Sequence, residues 1–106
     1  MSFANDYSDL IAEYRRSLVE THRDVLRLAR ELDAGDDSGM SELRAIAHKL
    51  AGNGASFGFP EITTAAKSLT AAALEMREHG GSAVAVVEAA SVLAHVCSRA
   101  AASPRS

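Results

Sequence analysis

The chain has 106 residues and a mass of 11.1 kDa, which fits a single domain over residues 1–106 and excludes a second catalytic module. Hydrophobic residues make up 47% but aromatic residues only 5%, with two Pro and no Trp, and this Ala-rich composition favours α-helices. The formal charge of -3 at pH 7 is against nucleic-acid binding, and the lack of an apolar run of about 18 residues is against a membrane span. We therefore expect a soluble, cytoplasmic protein.

Charge is unevenly distributed along the chain. Residues 1–40 hold five Arg against nine Asp and Glu, whereas residues 41–106 hold six basic residues against five acidic ones. Any function located in the second part therefore operates in a mildly basic setting.

The N-terminal third predicts two helical segments. Asp6 or Ser8 can cap the first, and Thr21 is a possible cap of the second, which ends at the Gly-containing loop 34–39. The sequence leaves open whether the two segments bend or form one continuous helix. Apolar residues recur at helical spacing through both, namely Leu10, Ile11, Tyr14, Leu18, Val25, Leu28, Ala29 and Leu32.

The remaining glycines and prolines predict three more helices. These run from Ser41 to Gly58, from Pro60 to the Gly80-Gly81 pair, and from about Ser82 onward, with residues 101–106 frayed. The short turns make consecutive helices antiparallel neighbours. The predicted fold is all-α, an antiparallel up-and-down four-helix bundle with an additional N-terminal helix.

The third predicted helix contains two glycines beside an exposed histidine. Gly52 and Gly54 each cost about 1 kcal/mol relative to Ala in a helix. At 100° per residue His48 lies about 140° from the apolar stripe, so its imidazole faces solvent or a groove edge. A solvated, idle histidine is the ordinary alternative, but Ala could have replaced both glycines if smallness alone mattered. The positions around His48 that could cover it are Arg44, Ala45, Ala51, Gly52 and Ala55.

The stretch 47–59 resembles the signature of histidine-containing phosphotransfer (HPt) domains. In that family a His is followed two residues later by an aliphatic residue, four later by Gly and ten later by a second Gly. The residues that match after His48 are Leu50, Gly52 and Gly58. The sequence Phe57-Gly58-Phe59 is similar to the version found in the phosphorylatable domain of chemotaxis kinases. The resemblance implies that His48 is a phosphoacceptor.

The resemblance also implies which partners the chain has and which cofactors and sites it does not need. Phosphoryl exchange would occur with an aspartate of a response-regulator receiver domain, or from a sensor histidine kinase, in a bacterial two-component phosphorelay. The receiver would supply the acidic pocket and Mg²⁺, so this chain needs no cofactor, metal ligand or ATP site. It would be a monomeric phosphoryl carrier rather than an independent enzyme. A neutral imidazole offers a ring-nitrogen lone pair and needs no activating base.

Several residues are predicted to support a phosphoryl group or to dock the partner. Arg44 lies one helical turn before His48, and Lys67 and Thr70 are expected level with it on the next helix. The family usually has Lys three residues after the His, where this chain has Ala51, and Lys49 is the nearest lysine. A flat docking surface is expected from Ala45, Ala51, Ala55 and the glycines, including Gly52.

The other histidines and the cysteine carry less weight. His22 and His79 are expected to be ordinary surface residues. His95 and Cys97 lie two apart on one helix, so they point in nearly opposite directions and cannot easily share a metal ion. Cys97 lies on the apolar stripe, which indicates core packing.

Two further hypotheses compete with the phosphoryl relay. The first is an HPt-like interaction module that binds a receiver or kinase without accepting phosphate, and Ala51 in place of the usual Lys is its support. The second is a dimerising kinase core, which would require a second subunit and an ATP-binding domain on another chain.

Overall fold

The computed structural model describes the backbone of residues 3–103 and the side chains of residues 7–103. Within this part the chain forms four α-helices and one 3-10 helix, with no strand. These are α1 (Phe3–Asp33), α2 (Met40–Asn53), the 3-10 helix (Ala55–Phe57), α3 (Pro60–His79) and α4 (Ala83–Ala102). The predicted frayed tail is shorter than expected because α4 includes residues 101 and 102, while residues 104–106 lie outside the described part.

The two N-terminal segments form one continuous helix. α1 contains 31 residues without Gly or Pro, so nothing in its sequence interrupts the backbone hydrogen bonds. Thr21, a possible cap in the sequence, instead donates its hydroxyl to the Ser17 carbonyl one turn earlier, at 3.1 Å. The expected additional N-terminal helix is therefore not a separate element among the described residues.

The second helix ends earlier than the sequence predicts. α2 stops at Asn53, and a 3-10 turn carries the chain to Gly58, whose φ of 91° is the left-handed conformation that Gly adopts without strain. A Cβ on Gly54 would lie 2.9 Å from the Thr63 backbone nitrogen. The Thr63 hydroxyl accepts the Ala55 N–H at 2.9 Å, which holds the end of α2 against the start of α3. This close approach explains the early break.

The helices pack in the order α1, α2, α3, α4, with α4 returning to α1. Residues that come later in α1 contact residues that come earlier in α2 and in α4, so α1 is antiparallel to both helices. The pairs are Arg15–Ala101 and His22–Ala94 with α4, and Tyr14–Asn53 and Arg27–Glu42 with α2.

The core is mainly aliphatic, with Phe59 and Tyr14 as its aromatic members. Most of the predicted apolar stripe is buried, including Leu18, Leu43, Ile62 and Leu93. Leu10 is an exception at 54% exposed, because α1 extends past the end of α4, which lies level with Tyr14 and Arg15. Residues 7–10 are all exposed, and burial of α1 begins at Ile11.

α4 is the most apolar helix of the described part. Its mean hydropathy reaches 1.4, and its length and composition alone would allow it to cross a membrane. Val86, Ala90, Leu93 and Cys97 are nonetheless fully enclosed in the bundle. About 33% of the apolar window is buried in the bundle, whereas Val84 and Val92 are 60% and 56% exposed.

Candidate functional site

His48 lies on the exposed face of α2, as its helical spacing predicts. Leu43, Ala47 and Leu50 fix the rotation of α2 by burying the opposite face in the core. Because these three residues are at most 3% exposed, the helix cannot rotate without exposing apolar surface. The packing of α2 therefore presents the imidazole to solvent.

The two glycines near His48 serve different purposes. Gly54 is buried, and the Thr63 backbone nitrogen would be 2.9 Å from any Cβ there, so the fold itself requires Gly. Gly52 is exposed, and a Cβ at that position would meet nothing within 4 Å. Packing within this chain does not explain Gly52, which leaves open space one turn beyond His48.

The edge of α3 that faces α2 carries Lys67 and Thr70. Gly54 contacts Thr63 at one end of the α2–α3 pair, and Arg44 lies across a groove from Ala73 at the other end. Interpolating between these contacts places His48 at about the level of Leu69. Thr63, Lys67 and Thr70 share one edge of α3 at i, i+4 and i+7.

Lys67 and Thr70 differ in the interactions that they can make. Lys67 is exposed. The Thr70 hydroxyl donates to the Ala66 carbonyl at 3.0 Å, so its oxygen remains able to accept a hydrogen bond but its proton is engaged. The structure thus places a cation and a hydroxyl oxygen on the α3 edge beside α2.

Arg44 lies one turn before His48, on the side of α2 that faces α3. Its Nη2 donates to the Ser41 hydroxyl at 3.4 Å, and its Nε is buried without a hydrogen-bond acceptor. The side chain also lines a groove with Ala73, Met76 and Arg77. Its guanidinium is directed toward Ser41, on the N-terminal side of Arg44, in the groove between α2 and α3.

Lys49 lies on the other side of α2. It lines a groove between α1 and α2 whose polar wall includes Glu20 and Asp24 and whose apolar wall includes Ile46. Lys49 is exposed and lies on the side of α2 that faces α1, and its predicted support of a phosphoryl group on His48 stays a prediction.

The small residues of the expected docking surface are not equally exposed. Ala45, Gly52 and Ala55 are exposed, whereas Ala51 is half-buried and packs against the core cluster. Ala51 lies on the same α3-facing side as Arg44 and His48. A flat surface around His48 is therefore formed by three of the four positions, with Ala51 at its inner border.

An aromatic cluster that the sequence analysis missed fixes the C-terminal end of α2. The Tyr14 hydroxyl donates to Asn53 Oδ1 at 2.8 Å, and its ring stacks on Phe57 with centroids 4.3 Å apart and on Phe59 at 6.1 Å. Burial raises the pKa of Tyr14 to about 12, with a smaller contribution from Cys97. The concentration of three of the five aromatic residues of the chain in this cluster was the available signal.

The remaining histidines have separate surroundings. His22 Nδ1 lies 2.8 Å from the Ala94 carbonyl, which can only accept, so Nδ1 carries the proton. His79 pairs with Glu75 at 3.5 Å, and His95 is exposed on α4. Burial raises the pKa of Cys97 to about 12. No group of three potential metal ligands occurs within the described part of the chain.

The fold is a small bundle of four α-helices in which His48 lies on the exposed face of α2. The model of the Hpt domain family matches residues 11–103, and the chain belongs to that family. Hpt domains take part in phosphorelay signalling as phosphotransfer carriers rather than kinases, and they generally interact with response-regulator receivers and kinases. No curated protein and no solved structure matches the chain.

Proposed function

We propose that this chain relays a phosphoryl group through His48, exchanging it with the aspartate of a receiver domain in a two-component phosphorelay. The observation that carries the proposal is an exposed histidine on α2 beside the open space at Gly52, within the stretch matched by the Hpt family model. A partner backbone can approach the ring there because His48 is exposed and a Cβ on Gly52 would meet nothing within 4 Å among the described residues.

The chemical step is a substitution at phosphorus. A ring nitrogen of His48 attacks the phosphorus of the receiver aspartyl phosphate, a nitrogen–phosphorus bond forms, and the bond from phosphorus to the carboxyl oxygen breaks. The electron pair of that bond remains on the departing carboxylate, and the proton on the second ring nitrogen stays in place or passes to solvent. The transition state is loose, with charge on the phosphoryl oxygens, so positioning and electrostatics dominate.

The surroundings of His48 supply positive charge for this step. Arg44 is on the same side of α2 one turn away, and Lys67 is exposed on the facing edge of α3. Either cation can interact with the phosphoryl oxygens of phosphohistidine, and the Thr70 oxygen can accept a hydrogen bond from the imidazole N–H.

The partner completes the site in this proposal. The receiver contributes the acidic pocket and Mg²⁺, and this chain contributes the nucleophile as a covalent carrier, a cytoplasmic monomer of the bacterial signalling type. A receiver domain or a sensor histidine kinase is the phosphoryl donor.

The test is transfer from a receiver domain that has been phosphorylated with acetyl phosphate. We expect an acid-labile, base-stable label on the wild-type chain and on His95→Ala, which removes an exposed histidine from α4 instead. His48→Ala should take up no label. Equal labelling of His48→Ala and wild type would refute the assignment.

A second candidate function is an interaction module that binds a receiver or kinase without accepting phosphate. Ala51 stands where the family usually has Lys, and Lys49, the one lysine of α2, lies on the side that faces α1. This function predicts binding that survives His48→Ala and no phosphohistidine signal in ³¹P NMR. Detection of phosphohistidine in the wild-type chain would exclude it.

A further inference from the structure

A groove runs between the N-terminal half of α2 and the C-terminal half of α3. Its volume is about 270 Å³, and it is lined by Met40, Met76 and Ala73 with two arginines, Arg44 and Arg77. Ala73 forms the buried floor, whereas both methionines are half-buried. Methionine walls adapt to side chains of different shape because the thioether is flexible and polarizable. The groove is therefore suited to an apolar side chain from another molecule.

The rim of this groove is positively charged. Arg44 and Arg77 face one carboxylate, Asp37, among the lining residues. Arg77 is 59% exposed and pairs only at the surface with Glu78, at 3.2 Å. An exposed pair of this kind exchanges partners at little cost, because surface ion pairs contribute about 0–1 kcal/mol.

Arg44 has donors that this chain does not use. Its Nε is buried without an acceptor, and its one described hydrogen bond, to Ser41, is long at 3.4 Å. A guanidinium carries five N–H donors in a planar fork that matches a carboxylate. A partner carboxylate bound in the groove would accept hydrogen bonds from the Nη groups of Arg44, which make only the long bond to Ser41.

The groove adjoins the phosphoacceptor. Arg44 and His48 are at i and i+4 on the same side of α2, so a molecule whose reactive aspartate reaches His48 extends naturally over Arg44. The groove on the other side of α2 carries Glu20 and Asp24 and would repel the same carboxylate.

We propose that this groove is the specificity pocket for the receiver domain, and that it takes an apolar side chain of the receiver together with a neighbouring carboxylate. The proposal rests on the proposed function for the identity of the partner. The apolar side chain enters between Met40 and Met76, and the carboxylate pairs with Arg44 and Arg77. The pocket thus selects among receivers by a surface away from the reacting atoms.

The experiment compares saturation curves for phosphotransfer from one receiver, chosen as the fastest donor to the wild-type chain among those of the same genome. Arg77→Glu and Met40→Gln alter the groove, and Arg99→Glu places the same charge change on the exposed side of α4. We expect the groove variants to raise the half-saturating receiver concentration about tenfold and to leave the saturating rate unchanged. Arg99→Glu should change the half-saturating receiver concentration less than about twofold.

Binding to the unphosphorylated receiver separates the two proposals. With His48→Ala, which cannot carry phosphate, NMR shifts of the Met40 and Met76 methyl groups on receiver addition support the pocket even if phosphotransfer fails. Unchanged half-saturation in both groove variants, with normal labelling of His48, overturns the pocket and leaves the proposed function intact. Methyl shifts produced equally by inorganic phosphate alone, or by raising the concentration of this chain alone, overturn it in favour of an anion site or self-association.

Discussion

The two sides of α2 carry opposite chemistry. Toward α3 the groove holds Arg44 and Arg77 with one carboxylate, Asp37. Toward α1 the groove wall holds Glu20 and Asp24 with one lysine, Lys49. The net charge of -3 conceals this division, because the acidic excess lies in residues 1–40, most of which form α1.

The difference shows how one helix can have a reactive side and a structural side. On the α1 side the polar contacts join residues of this chain, such as Tyr14 with Asn53 and Arg27 with Glu42. On the α3 side Arg44 Nε has no acceptor and Gly52 adjoins open space. Grooves of similar volume lie on both sides of α2, so the two sides differ in charge and in hydrogen bonding rather than in unfilled space.

The two glycines provide the strongest test of this division. Gly54→Ala brings a Cβ against the Thr63 backbone, so we expect a loss of about 2 kcal/mol in the free energy of unfolding. Gly52→Ala has room for its Cβ and gains about 0.5–1 kcal/mol, because Gly is the poorer helix former. Urea denaturation measures both, and destabilisation by Gly52→Ala would show that packing within the chain requires that glycine. The bulkier Gly52→Gln should fold normally and slow transfer from a phosphorylated receiver.

Charge reversal at Lys67 and at Lys49 tests whether the two sides of α2 differ in their electrostatic effect on phosphotransfer. Lys67→Glu reverses a charge on the α3 edge, and we expect phosphotransfer to slow about tenfold, which corresponds to about 1.4 kcal/mol. Lys49→Glu makes the same change in the groove beside α1 and should alter the rate less than about twofold. Single-turnover transfer at low salt measures both rates. Equal effects would mean that overall charge, not position, controls the rate.

Much of this arrangement could be predicted from the sequence because it depends on local periodicity. The spacing of Leu43, Ala47 and Leu50 is enough to place His48 on the exposed face of α2. Pro60 and Gly80 mark the ends of α3 for backbone reasons that are also local.

The rest depends on contacts between distant residues. The early end of α2 results from the approach of Gly54 to Thr63, and the placement of Lys49 results from its position next to α1. The Tyr14 cluster joins residues 39 positions apart, and no spacing rule connects them. Helical spacing thus predicts which face a residue occupies but not which neighbouring helix it meets.

The Tyr14 hydrogen bond tests the structural side of α2. Tyr14→Phe keeps the ring stacked on Phe57 but leaves Asn53 Oδ1 without its donor, so we expect a loss of about 1 kcal/mol in the free energy of unfolding. Because the residue lies away from the α3 side, the phosphotransfer rate should not change more than about twofold. Thermal unfolding and the transfer assay, performed on the same variant, provide both readings. A large loss of transfer with little loss of stability would contradict the division between the two sides.

Tyr14 and Cys97, two buried acids of the core, have the smallest expected effect on stability at neutral pH. The pKa of Tyr14 rises from 10.0 to about 12 and that of Cys97 from 9.0 to about 12, chiefly by burial, so the folded state favours their neutral forms. The folded state therefore binds more protons than the unfolded state between about pH 9 and 12, and stability must fall as pH rises through that window. Below about pH 9 both groups are protonated in both states and contribute no slope. Cys97→Ala should flatten the decline from about pH 9, and Tyr14→Phe from about pH 10, in urea titrations at stepped pH. A decline identical to that of the wild type in both variants would assign the alkaline loss of stability to other groups.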